Sequence, residues 1–126
     1  MRESSDLSSD PGSRKLRPTL SNISAPRQAL VRLCQSIDYG QILDLHVCDR
    51  EPVFNPPPTL LLDIKLDSDR GGRPEYGLAD FTLCDEVCRL LDRIDEMQAG
   101  RIHRIEVRAG IARRVLVEAN LSETGI

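Results

Sequence analysis

Apolar residues recur along this chain at two spacings, one near 3.6 residues and one of two, and the spacing switches at glycines. Leu30, Leu33, Cys34 and Ile37 fall on one helical stripe, with Arg27, Gln28, Arg32 and Gln35 off it. Ser24 is placed to cap that helix, Pro26 is tolerated in its first turn, and Gly40 ends it. Gln41 to Val47 then carries Leu43, Leu45 and Val47 on one parity, which predicts a half-buried strand. Asp49-Arg50-Glu51 reads as a hairpin turn and Pro52-Val53-Phe54 as the start of the return strand. Pro56-Pro57-Pro58 interrupts that strand, because residues without an amide hydrogen cannot join a ladder. Thr59 to Leu66 places Leu60, Leu62, Ile64 and Leu66 on one parity and Asp63 and Lys65 on the other, a further strand. Leu61 adds the expectation that both faces are covered at its start.

The second helix is predicted to begin near Asp80 or Thr82, with Asp85 and Glu86 in its first turn and a stripe of Leu83, Val87, Leu90, Leu91, Ile94 and Met97. Gly100 ends it. Ile102, Ile105 and Val107 precede an Ala109-Gly110 turn and a return strand through Val115, Leu116 and Val117. The same order therefore occurs twice. Arg32-Leu33 to Ile37-Asp38, then Gly40-x-Ile42-x-x-Leu45-x-Val47, recurs as Arg89-Leu90 to Ile94-Asp95, then Gly100-x-Ile102-x-x-Ile105-x-Val107, with Glu96 to Ala99 as an insertion. Neither unit is long enough to bury its own apolar face, so the two are expected to pack together. The expected fold is α+β: two helix-plus-β-hairpin units forming a mainly antiparallel sheet with both helices packed on one face. Thr59 to Leu66 extends or edges that sheet. Duplication and independent selection for a helix-Gly-strand junction both account for the match.

At Ile37-Asp38-Tyr39-Gly40-Gln41-Ile42, with Val47 and Asp49 downstream, the chain resembles the YezD-like family of very small bacterial proteins, in which an Ile-x-Tyr-Gly-x-Ile/Val segment leads into a hairpin. The resemblance covers Ile37 to Val53; the triple proline, the following loop and the second unit depart from it. It implies an α+β hairpin module and, the family itself being functionally uncharacterised, supplies no catalytic residue.

The 126 residues suit one domain. Residues 1–25, rich in Ser, Asp, Pro and Arg, read as a disordered tail, 26–120 as the domain and 121–126 as a frayed end. Asp67 to Gly77 reads as a loop. Aromatic residues make up 3%, so the core must be aliphatic. A net charge of -3 provides no global field toward nucleic acid or anionic membrane. No run approaches the roughly 20 apolar residues of a membrane span, and the first residues lack the apolar core of a signal peptide. A cytoplasmic protein with four reduced thiols is expected.

Candidate chemistry is sparse. His46-x-Cys48 and Cys84-x-x-x-Cys88 offer zinc-type ligands, but without a Cys-x-x-Cys knuckle they read as core or near-core thiols. A Cys-His nucleophile at His46 or His103 lacks an orienting third group. Asp38, Asp44, Asp63 and Asp95 could be drawn as a carboxylate pair, yet Asp38 and Asp95 suit turn or capping roles before the glycines. Neither catalytic residue, metal nor cofactor is assigned. Binding residues are nominated at Arg70 and Arg73 in a Gly-rich loop, and at Arg101, Arg104, Arg108, Arg113 and Arg114 in the C-terminal hairpin. Without interleaved aromatics, these arginines are expected to pair with Asp85, Asp92, Asp95 and Glu96 or to solvate a sheet face. The leading functional expectation is a non-catalytic protein-interaction module, taking a protein partner or a second copy, with no membrane role. The alternative is a nucleic-acid or phosphate-ligand binder using the nominated arginines.

Overall fold

The structure, a computed structural model, describes residues 17–66 and 78–118. Residues 1–16, 67–77 (with Arg70 and Arg73) and 119–126 lie outside the described residues. Helix α1 (Ala25–Ile37) begins where the sequence places it: Ser24 Oγ accepts from the Arg27 amide at 3.3 Å. Strands β1 (Gly40–Cys48), β2 (Glu51–Val53) and β3 (Thr59–Leu62) follow, then helix α2 (Asp85–Met97) and strands β4 (Gly100–Arg108) and β5 (Ile111–Val117). All five strands pair antiparallel. β1 and β4 are central, β5 pairs with β4, and β2 and β3 share the other edge of β1, one along each half. The protein is α+β, as the patterning predicts.

Both helices cover the same face of the sheet. Leu30, Val31, Cys34 and Ile37 of α1 and Val87, Leu90, Leu91 and Ile94 of α2 close over Ile42, Leu45, Val47, Ile102, Ile105 and Val107 in one aliphatic cluster. Each fully buried Leu or Ile contributes about 1.5–3 kcal/mol. On β1 the buried residue is Ile42, not Leu43. Asp44 has φ 60 and drops out of the ladder between Leu43↔Arg104 and Leu45↔Ile102, so the inward parity changes across it. Ile102 and Ile105 on β4 show the same three-residue step.

Three further expectations are corrected. Residues 17–24, assigned to the tail, dock on the domain: Leu20 is buried and its amide donates to the Phe81 carbonyl at 2.9 Å. Asp80 does not cap α2, whose N-cap is Cys84; its carboxylate instead accepts from the Ser21 amide and hydroxyl, both at 2.8 Å. The Ser21 amide, then its hydroxyl, holds Asp80 below the usual carboxylate range. Finally, β3 ends at Leu62 and is exposed on both faces, the buried core lying under the two helices and the central strands.

The two units correspond without an insertion at an offset of sixty residues, from Gly40 to Gly100 and from Ala25 to Asp85. Gly40 lies opposite Val107 and Val47 opposite Gly100; Ile42 lies opposite Ile105 and Leu45 opposite Ile102. Exchanging each residue for its counterpart leaves these pairings unchanged. Both helices end in a γ-turn, at Asp38 (φ 65, ψ -64) and Gln98 (φ 63, ψ -53). Both hairpins turn on two positive-φ residues, Asp49-Arg50 and Ala109-Gly110. Each turn docks on the other unit's helix end: the Arg50 amide donates to Gln98 O at 2.7 Å and the Gly110 amide to Asp38 O at 2.8 Å. The counterpart of Asp38 is therefore Gln98. Asp95 sits in the last turn of α2, where no cap is required of it.

Candidate functional site

The candidate metal and nucleophile residues fall in separate places. Cys48 is exposed at the end of β1, beside the turn that binds the C-terminus of α2, whereas Cys84 and Cys88 occupy the N-terminal turn of that helix. The 13-residue helix between them spans about 20 Å. Cys34 is buried in the core, which pushes its thiol up to about 12. Partial burial, then the neighbouring Cys84 and Asp92, raises Cys88 as well. His103 lies 3.0 Å from Glu118 at the far end of the β4–β5 ladder. Among the described residues no group of three or more His, Cys, Asp or Glu side chains is arranged to hold a metal. Of the four aspartates, Asp44 and Asp95 lie apart, at a strand irregularity and in the last turn of α2, whereas Asp63 follows β3 and donates its amide to the Tyr39 carbonyl at 2.8 Å, beside the helix end that carries Asp38.

The hairpin arginines separate into two sets. Arg101 lies 3.7 Å from Asp44, and Arg113 pairs at 2.8 Å with Glu86. The expected α2 partners are otherwise engaged, Asp85 with Arg17, Asp95 with Arg27 and Glu96 with Arg93. Arg104, Arg108 and Arg114 are exposed and have no ion pair among the described residues. Between α2 and β5 runs an open groove of about 270 Å³, floored by Leu90, Ala112 and Val115, walled by Arg89, Arg93, Arg113 and Glu86, and bordered by Arg114 along the strand edge. Glu86 is held below the usual carboxylate range first by its own amide in the opening turn of α2, then by Cys84 and the Arg113 charge. Arg89 and Arg93 were not nominated from sequence. Their four-residue spacing off the apolar stripe of α2 is the signal that marks them as one wall.

A second cavity, of about 160 Å³, is lined by Gln35, Cys84, Val87, Gly110 and Ile111 among others. At an offset of sixty these correspond to Asp95, Ser24, Arg27, Arg50 and Glu51, which form a filled ionic cluster where the start of α1 meets the end of α2. There the Arg27 guanidinium donates to Asp95 Oδ1 and to Arg50 O, each at 2.7 Å, with Nε 3.3 Å from Glu51. Ser24 Oγ donates to the same Glu51 carboxylate at 2.7 Å. The cavity thus occupies the place in one unit that the Arg27 side chain fills in the other.

The opposite sheet edge carries the largest exposed apolar residues. Leu60, Leu61, Leu62, Ile64 and Leu66 lie in or just beyond β3, broken by Asp63 and Lys65, with exposure rising from 40% at Leu60 to 95% at Leu66. Among the described residues, β3 pairs with β1 alone and leaves its outer edge open. No protein-family model matches the chain, and no curated protein or solved structure matches it at a significant level. Among the described residues no helix is long and apolar enough to cross a membrane. Fold and surfaces together define an α+β protein with one apolar sheet edge and one edge flanked by arginines.

Proposed function

We propose that this protein is a non-catalytic interaction module of the cytoplasm, binding a protein partner or a second copy of itself through its sheet edges. The observation that carries this reading is the open edge of β3 with its run of exposed leucines. An unpaired strand edge presents backbone donors and acceptors, and burying the exposed half of each β3 leucine on association contributes about 1 kcal/mol. The sixty-residue correspondence supports reading the chain as an internal repeat, in which the β2–β3 edge and the β5 edge are equivalent surfaces. The Ile37 to Val53 resemblance to the YezD-like family fits a hairpin module of this kind. Light scattering and pull-down with the full chain test the proposal, alongside Leu61→Glu/Leu62→Glu. The expected result is an assembly or a retained partner that the double variant loses while its circular dichroism is unchanged. A strict monomer that retains nothing would overturn it.

The unpaired Arg104, Arg108 and Arg114 favour a second reading, a nucleic-acid or phosphate-ligand binder in which Arg70, Arg73, Arg101 and Arg113 also take part. Retention on DNA or RNA columns that falls steeply with salt supports that reading, and elution at the lowest salt removes it.

A further inference from the structure

We infer that the β5 edge is a docking site for an extended acidic segment of a protein partner, added as a sixth strand; this rests on the interaction reading above. β5 is the terminal strand of the sheet on the side away from β3, so alternate residues of Ile111–Val117 direct unpaired backbone groups outward. Both sides of that edge are cationic. On the helix side, Arg89 and Arg93 flank the groove whose floor is Leu90, Ala112 and Val115, with Arg113 held against Glu86. On the open face, Glu106 lies opposite Arg114 and Arg104 opposite Leu116, so Arg114 stands on the edge strand itself and Arg104 one strand behind it, neither with an ion pair among the described residues.

Strand addition uses these features together. The backbone ladder supplies affinity, small apolar side chains of the added segment meet the groove floor, and carboxylates meet guanidinium groups on either side. The chain as a whole carries net charge -3, so this local cluster of arginines stands out against an acidic background and favours a locally acidic ligand. Nucleic acid is disfavoured by the side chains present. Phe81 lies 5.3 Å beneath the Arg32 guanidinium on the α1 side, neither β4 nor β5 carries a Phe, Tyr or Trp, and the one ring on these strands, His103, is 3.0 Å from Glu118.

The test uses the full chain and an extended peptide alternating glutamate and valine, with three comparison probes. These are the same peptide N-methylated at alternate residues, a lysine–valine peptide and a short single-stranded oligonucleotide. The acidic peptide is expected to bind at low ionic strength, weaken by about tenfold or more in Arg89→Glu/Arg114→Glu, and lose binding when N-methylated, because methylation removes ladder donors. Equal binding of the methylated peptide, equal binding of the lysine–valine peptide, or tighter binding of the oligonucleotide would each overturn the inference. So would the absence of acidic-peptide binding to the unmodified chain. These outcomes stand apart from failure of the wider reading, which requires a strict monomer that retains no partner; a chain that still assembles through β3 and ignores the acidic peptide loses this inference alone.

Discussion

Cys34 shows how one side chain joins patterning, packing and pH response. Its place on the α1 stripe buries it, and burial pushes its thiol up to about 12 from the ordinary 9.0, since a thiolate in an aliphatic core would be unsolvated. The unfolded chain therefore loses this proton first. The stabilising contribution is complete below pH 9 and declines as pH rises from about 9 toward 12. Urea midpoints measured from neutral to strongly alkaline pH should fall more steeply for the natural chain than for Cys34→Val, which fills similar volume without a titrating group. Identical slopes would show that Cys34 ionisation does not limit alkaline stability. The burial of Cys34 is legible from its helical spacing. The bonds of Asp80 are not, because they join it to Ser21 across 59 positions of sequence.

At the scale of elements, two equivalent glycines do different work. A Cβ at Gly40 would lie 2.1 Å from the Leu61 carbonyl oxygen, a backbone atom that cannot turn aside. At Gly100 the nearest atom is Met97 Cε at 3.1 Å, the end of a flexible side chain. Gly40→Ala should cost about 1–3 kcal/mol and loosen β3 from β1, whereas Gly100→Ala bears only backbone strain and a small side-chain shift. Hydrogen exchange at Leu60 to Leu62 reads the difference; equal protection in both variants would contradict a special approach of β3 to Gly40. Sequence marks both glycines as helix ends, and period alone gives the strand at Leu60 to Leu62. It does not give the exposure of that strand. Alternation reports which residues share a face, and only neighbouring elements decide whether that face is covered.

At the scale of the molecule, the two units are tied by reciprocal contacts at the helix ends and by Arg27. This side chain belongs to the first unit, is mostly buried, and reaches Asp95 of the second as well as Glu51 and the Arg50 carbonyl. Arg27→Ala removes several charge-assisted bonds and is expected to cost about 1.5–3 kcal/mol, read from the shift of a single cooperative urea transition. Two separate transitions, or an unchanged midpoint, would contradict its role as a tie between units. The arginine groove also belongs to this scale. Arg89 and Arg93 come from a helix and Arg113 from a strand, and no local motif predicts that they share a groove.

Sequence by itself determines that this protein has two helices and several strands, that its core is aliphatic, and that one order of elements occurs twice, because these follow from local periodicity and composition. The tertiary structure alone decides that the units correspond at sixty residues without an insertion, that Ile42 turns inward in place of Leu43, that Asp95 binds Arg27, and that one sheet edge is leucine-rich while the other is flanked by arginines. The physical reason is the same in each case. A period fixes a side chain's direction relative to its own element, whereas burial, pairing and surface charge depend on which distant element comes to lie beside it.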